Sequence, residues 1–339
     1  MKRILTNRQK SLIKPNFPKG INFTEARDKF MLPAKRHIAG SVKTCLVVDG
    51  MNIAYQAFYA YAKLSHQGKS TSILYGFINI LRPILKQFDP VRVVVCWDGV
   101  KHPERLKTLP TYKGHREAGR DPKKRKKFLK QIERTRKLLY YLGISQAYNP
   151  NIEGDDMIYW VSKRMQKIYR TIIVSGDKDF KQLINHDVSV YNPRNKYLEN
   201  IWAFPVSNYG VEVAQYKDFL CLTGDKSDDI PGYPNIGEKR AASLLTKYYS
   251  IKDYLESKED LPGLTDKEKL KGVYLRNNKM INLRYFNEKY NKKVNITYYR
   301  GKSYNPGFNE IKYKAYCLKY GLKTSIFPLF LEPFKKLNQ

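Results

Sequence analysis

Short runs of apolar, β-branched residues alternate along this chain with stretches whose apolar positions recur every three or four residues. The runs are Thr44-Cys45-Leu46-Val47-Val48, Val91 to Trp97, Thr171-Ile172-Ile173-Val174 and Val188 to Tyr191. Helical spacing marks Met51 to Tyr59, Ser72 to Phe88, Phe128 to Leu139 (closed by Gly143), Ile158 to Met165 and Val211 to Leu222. A short helix is expected around Phe180, Leu183 and Ile184, and from Asp253 to about Lys289 the pattern stays helical. Branched strands flanked by helical patterns predict the parallel sheet of an α/β fold.

Three of these runs end on acids: Asp49-Gly50, Asp98-Gly99 and Ser175-Gly176-Asp177-Lys178-Asp179. Parallel sheets collect ligands beyond the carboxyl ends of their strands. Ile152-Glu153-Gly154-Asp155-Asp156-Met157 places further carboxylates in a first helical turn, where they would repel one another without a cation between them. One such acid is an ordinary turn residue, and acids at a helix start also complement its dipole. Taken together they favour a metal site. A further pair, Asp225 and Asp228, opens a later segment. The four cysteines and five histidines have no zinc spacing. Cys45 and Cys96 fall inside predicted strands, which points to reduced thiols, a cytosolic setting and an all-oxygen site for magnesium or manganese.

Charge then supplies the partner. Lys and Arg number 63 against 31 Asp and Glu in 339 residues, a formal +32. Such an excess suits nucleic acid or an anionic membrane. With no apolar run long enough to span a bilayer and no signal-peptide pattern, nucleic acid is favoured. The most basic segment, Lys101 to Lys137, holds Thr111-Tyr112-Lys113-Gly114-His115-Arg116, Arg120 and Lys123 to Lys127. It is read as a cationic loop beside the acids, placed to grip phosphates rather than only to solvate a face. Ile236-Gly237-Glu238-Lys239-Arg240 begins a helix whose open amides favour a phosphate. Tyr55 and Tyr59 share a helix face and read as core. Residues 1–43, with Pro15, Pro18 and Pro33, form a basic extension, and residues 291–339 a Tyr- and Lys-rich tail; either is a candidate arm for nucleic acid or a replication protein.

In order, these motifs resemble those of the 5′→3′ exonuclease and flap endonuclease family. The likeness is to its stand-alone bacteriophage members and to the nuclease domain of bacterial family A DNA polymerases. Val48-Asp49-Gly50-Met51-Asn52 is similar to the first strand motif; Trp97-Asp98-Gly99 with Tyr112 to Arg116 resembles the second strand and the start of the helical arch. Glu153-Gly154-Asp155-Asp156 resembles the acidic helix start, Ser175 to Phe180 the third strand motif, and Gly224 to Gly232 a further one. Ile236-Gly237-Glu238-Lys239 looks like the helix–three-turn–helix. Gly154 stands where alanine is more usual and Asp229 where asparagine is usual.

The resemblance implies a PIN-like α/β nuclease: a catalytic domain at 44–205 with its arch at 101–137, and a DNA-binding helical region at 206–290. Asp49, Asp98, Glu153, Asp155 and Asp156 would hold a first metal ion; Asp177, Asp179, Asp225 and Asp228 would hold a second. Tyr112, Lys113 and Arg116 would steer and polarise the scissile phosphate, with Lys113, Arg116 and Asp155 carrying catalysis. Gly237, Lys239 and Arg240 would hold the duplex. The expected activity is Mg2+-dependent, Mn2+ substituting, on DNA with a 5′ flap or end, with RNA primers in RNA–DNA hybrids as further substrates. A monomer in the cytoplasm (the host's, if phage-encoded) is expected, of the stand-alone type because the chain ends without room for a polymerase. The competing readings are a 5′ ribonuclease acting mainly on hybrids and a non-catalytic nucleic-acid-binding protein.

Overall fold

The computed structural model describes residues 43–115, 121–264, 266–291, 297–298 and 306–339. Arg116, Arg120 and the N-terminal extension through residue 42 lie outside the described residues. Strand β1 (Thr44–Asp49) carries no charged side chain before its last residue, and it is buried on both sides. Cys45 and Val47 face one core while Leu46 and Val48 face the other. The same alternation places Val94 and Cys96 of β2 (Arg92–Trp97) in the first core and Val93, Val95 and Trp97 in the second.

Beyond these come β3 (Ser145–Tyr148), β4 (Arg170–Val174), β5 (Val188–Asn192), β6 (Tyr197–Glu199) and β7 (Thr297–Tyr298). The sheet runs β7-β3-β2-β1-β4-β5-β6. Its inner strands are parallel and both edges antiparallel. The chain moves outward from β1 through β2 to β3, then crosses to build β4 and β5 on the other side. That reversal opens a crevice between the ends of β1 and β4. Val48 lies opposite both Val95 and Val174, so Asp49, Asp98 and Asp177 all follow at the same end of the sheet.

The helices that follow the first strands are α1 (Gly50–Ala60), α2 (Ser72–Phe88), α3 (Pro103–Thr108), α4 (Pro122–Tyr141) and α5 (Gly154–Met165). Next come α6 (Val213–Thr223), α7 (Glu238–Tyr248), α8 (Ile251–Glu256), α9 (Lys267–Ile281) and α10 (Leu283–Tyr290). The last are α11 (Glu310–Lys319) and α12 (Pro328–Lys336). On one face α1 packs on α2, and α2 contacts α4 and α12. On the other, α5 covers β1, β2 and β4 and touches α10, while α6 packs on α7 and α9.

Much of the basic segment is helical rather than a loop. The stripe Phe128, Gln131, Ile132, Thr135, Leu138 and Leu139 buries one side of α4 and leaves Lys123 to Lys127 exposed. Gln131 Oε1 accepts the Ile73 N–H at 3.0 Å and the Ser72 hydroxyl at 3.1 Å, supplying the first turn of α2 with the cap that Thr71 does not give. Tyr55, 37% exposed, stacks on Phe128 at 4.6 Å and Tyr59 is 73% exposed, so neither belongs to the core that was expected for the pair. The single helical pattern from Asp253 breaks into α8, α9 and α10. Asn282 ends α9 and caps α10 by accepting the Tyr285 N–H.

The tail packs back on the body. Tyr313, Cys317, Leu331 and Phe334 are fully buried in the core shared with α2 and α4. Among the described residues no helix is long and apolar enough to cross a membrane. Phe334→Ala is therefore expected to cost about 3–5 kcal/mol, the scale of a buried Phe truncation. Urea unfolding measures it; an unchanged midpoint would mean that the tail is not part of the core.

Candidate metal centre

Each acid reaches the crevice by a local device. Asp49 closes β1 and caps α1, accepting the Asn52 N–H at 2.9 Å; the Ser175 hydroxyl donates to its other oxygen at 2.8 Å. Asp98, at the end of β2, accepts the Gly154 N–H at 2.7 Å and so caps α5 from another strand. A Cβ on residue 154 would come within 2.0 Å of that Asp98 oxygen, so alanine there would require the Asp98 carboxylate to shift. Asp155 projects from the first turn of α5 and is half-buried. Asp177 caps a 3₁₀ turn (Lys178–Leu183) that carries Asp179. Asp225 and Asp228 flank the turn after α6, Asp225 holding Ser227 through both its N–H and its hydroxyl.

Two groups result. Asp179, Asp225 and Asp228 bring one oxygen apiece within 4.8 Å of one another, close enough to share a cation. Asp179 Oδ1 is buried without a hydrogen-bond partner, an orphan that a bound cation would satisfy. Asp49 and Asp98 act electrostatically on Asp155, and Asp177 on Asp49, Asp155 and Asp179, so these four make a second group of acids coupled to that trio. An all-carboxylate donor set suits a hard divalent cation.

Lys113 bridges the groups. Its Nζ lies 2.8 Å from Glu153, 3.6 Å from Asp228 and 3.8 Å from Asp155. Behind it sits a cation that sequence reasoning missed. Arg105 of α3 is 2% exposed and donates to Glu153 at 2.6 Å and to both oxygens of Asp156 at 2.8 and 2.9 Å. Its guanidinium lies over the Phe286 ring, 3.9 Å from the centroid. Nothing in its sequence position within a basic run marks it out.

Three expectations are corrected. Glu153 is buried, with one oxygen taken by Arg105 and the other by Lys113 and Tyr112, so it anchors these side chains rather than standing open to a metal. Asp156 is fully buried, clamped by Arg105 and by the Asn287 amide at 2.7 Å, so its oxygens face inward and not toward a metal. Tyr112 is 3% exposed and its hydroxyl donates to Glu153 at 3.1 Å, so it braces that acid rather than meeting a nucleotide. Arg116 lies outside the described residues. At the other end of the site, Gly237 caps α7 without a side-chain bond and is exposed, as are Lys239 and Arg240. Arg240 donates to the Asn235 carbonyl at 3.0 Å, bracing the turn before the helix.

The two kinds of acid titrate in opposite directions. Burial, then the Asp98 and Asp177 charges, raises Asp49 to about 7. Burial also pushes Asp155 and Asp179 well up, against Lys113 and Lys178 respectively, with neighbouring carboxylates adding to the rise. For Glu153, burial acts upward too, but Arg105 and Lys113 prevail and hold it at about 2.

Comparison with known proteins matches residues 44–208 to the 5′-3′ exonuclease N-terminal resolvase-like domain and residues 211–295 to the 5′-3′ exonuclease C-terminal SAM fold. A 5′-3′ exonuclease of Aquifex aeolicus is 34% identical over 64% of this chain and 74% of its own length. DNA polymerase I of Mycobacterium tuberculosis is 33% identical over 65% of this chain, a region spanning 25% of that polymerase. A bacteriophage T5 flap endonuclease, solved as a pseudo-enzyme–product complex with DNA and metal ions, shares the fold. Its TM-score is 0.63 at 17% identity, covering 87% of this chain and 99% of that one.

Two measurements follow from this electrostatic arrangement. The native state holds extra protons on Asp49 between the ordinary 3.8 and about 7, so without divalent ions stability falls as pH rises through that window. Glu153 contributes stability that is present above 4.5 and lost as pH falls toward about 2. The ion-free melting temperature should therefore peak at about pH 4, where the two windows overlap, and Mn2+ should raise it far more at neutral pH than at the peak. Equal Mn2+ shifts at both would dissolve the cluster assignment. Secondly, Arg105→Ala strands Glu153 and Asp156 without their cation and is expected to cost about 3–5 kcal/mol. A urea midpoint within error of wild type would contradict the buried clamp.

Proposed function

Because the chain belongs to the 5′-3′ exonuclease family, we propose that it is a structure-selective 5′ nuclease acting on DNA with a single-stranded 5′ end or flap. Hydrolysis would leave a 5′-phosphate and a 3′-hydroxyl, with Mg2+ as the working ion and Mn2+ as a substitute. The observation that carries this reading is the convergence of the helix-start acids Glu153 and Asp155 and the turn acid Asp228 on Lys113, beside the Asp179–Asp225–Asp228 trio, inside a chain of net charge +32. When bound, the divalent cations supply a nucleophile at neutral pH and charge to offset the leaving oxygen.

The chain's own residues do the rest. Asp49, Asp98, Asp155, Asp177, Asp179, Asp225 and Asp228 would hold the cations. Lys113 would offer its ammonium to the phosphate oxygens on which charge builds. The open amides at the start of α7, with Lys239 and Arg240, take the duplex by its backbone. Backbone contacts carry no base information, so selectivity rests on substrate shape.

The test is digestion of a 5′-flap, a nicked duplex and an RNA-primed duplex with Mg2+, against EDTA blanks. Flap and nick should be cut irrespective of sequence. Asp155→Asn, Asp179→Asn and Lys113→Ala should each slow cleavage by about 10²–10³-fold, the scale of losing one preorganised electrostatic contact. DNA affinity of the two Asn variants in Ca2+ should hold near wild type and fall steeply with salt. Wild-type cleavage by both Asn variants would end this reading, and cutting confined to the RNA-primed duplex would turn it into the ribonuclease.

A further inference from the structure

Outside the acids and Lys113, the structure carries one built contact that the reaction does not yet use. Segment 111–115, at the base of the arch, is stitched to segment 226–229, the turn that enters the duplex-binding helices. The Lys113 N–H donates to the Asp228 carbonyl at 3.0 Å. The His115 N–H donates to Asp229 Oδ2 at 3.0 Å, and His115 Nδ1 meets the same oxygen at 2.7 Å. The stitched segments lie 114 positions apart in the chain.

Backbone geometry singles out the same pair of segments. Lys113 at φ 54° and Asp229 at φ 58° both occupy the left-handed region without being glycine. Such conformations persist where surrounding contacts over-determine them. Asp tolerates that region because its short side chain bonds locally; lysine has no such excuse. Asp229 is also where the chain departs from the asparagine usual in the motif it resembles, and its carboxylate engages both His115 donors through one oxygen. A lysine stem is long and flexible, so where its ammonium rests depends on how firmly its backbone is held.

Resting on the nuclease reading, we propose that the His115–Asp229 pair is a clasp that locks the arch base to the duplex-binding turn and positions Lys113 over the acids. The clasp residues are positioning residues. Both side chains are partly exposed, 53% for His115 and 29% for Asp229, so either can be changed without opening the core. His115→Ala removes the ring bond and leaves every acid in place, which separates the clasp from metal binding.

Single-turnover cleavage of a 5′-flap should fall about tenfold in His115→Ala, the scale of a small misplacement of a reacting group. DNA affinity in Ca2+, Mn2+ stoichiometry and melting temperature should stay at wild-type values. In the His115→Ala/Lys113→Ala double variant the losses should not multiply, because the clasp acts through Lys113. Amide hydrogen exchange supplies a readout free of activity: protection at Lys113 and His115 should be lost in Asp229→Ala. Wild-type cleavage by His115→Ala, losses that multiply in full, or unchanged exchange in Asp229→Ala would each overturn the clasp. If the wild-type chain does not cut DNA, the nuclease reading fails by itself, and the exchange experiment still decides whether the clasp exists.

Discussion

Like charges crowded at the ends of neighbouring strands repel one another, and the surrounding structure is arranged to hold them there. A pair about 4 Å apart costs on the order of 4 kcal/mol at an effective dielectric of 20. Three devices keep the acids in place without a bound ion. The proton affinities of Asp49, Asp155 and Asp179 are raised, burial first and neighbouring carboxylates next, so these acids take on charge less readily. Lys113 lies between the groups. Arg105 stands behind them, tying α3 to Glu153 and Asp156 of the α5 start. The first two devices are exchangeable, since a divalent cation can displace both protons and an ammonium. The guanidinium is buried and permanently charged, so it is the fixed part of the frame.

Which of this was legible follows from what each residue's neighbours in sequence report. Asp49, Asp98 and Asp177 could be read because a branched run fixes a strand and a parallel sheet fixes which end gathers ligands. Asp155 and Asp156 could be placed at a helix start but not told apart, although adjacent helical positions lie about 100° around the axis and cannot both face one pocket. The buried side of that turn is set by Arg105 and Asn287, 51 and 131 positions away. Tyr112 was misplaced for the same reason: its motif gives a location, and only the tertiary contact with Glu153 gives its direction. The strands Ser145–Tyr148 and Tyr197–Glu199 escaped because they are short and carry polar residues. The tail hid its anchors Tyr313, Cys317, Leu331 and Phe334 among lysines that solvate the opposite faces.

The signs of charge then divide the work by distance. The excess of Lys and Arg makes a long-range field that draws any polyanion and cannot by itself distinguish one from another. The acidic pocket opposes that field locally and would repel the phosphodiester the field has gathered, until cations reverse its sign. Attraction, docking and reaction thus belong to different parts of the chain, and the join between docking and reaction is narrow. The turn carrying Asp225, Asp228 and Asp229 contributes to the cluster on one side and leads into α7 on the other. A duplex seated on the α7 amides, as proposed, would therefore pull on the same backbone that carries the acids and meets segment 111–115 at His115. Rigidity at that turn, more than the number of carboxylates around it, decides whether a phosphate held by its shape arrives in register with the charge that can cut it.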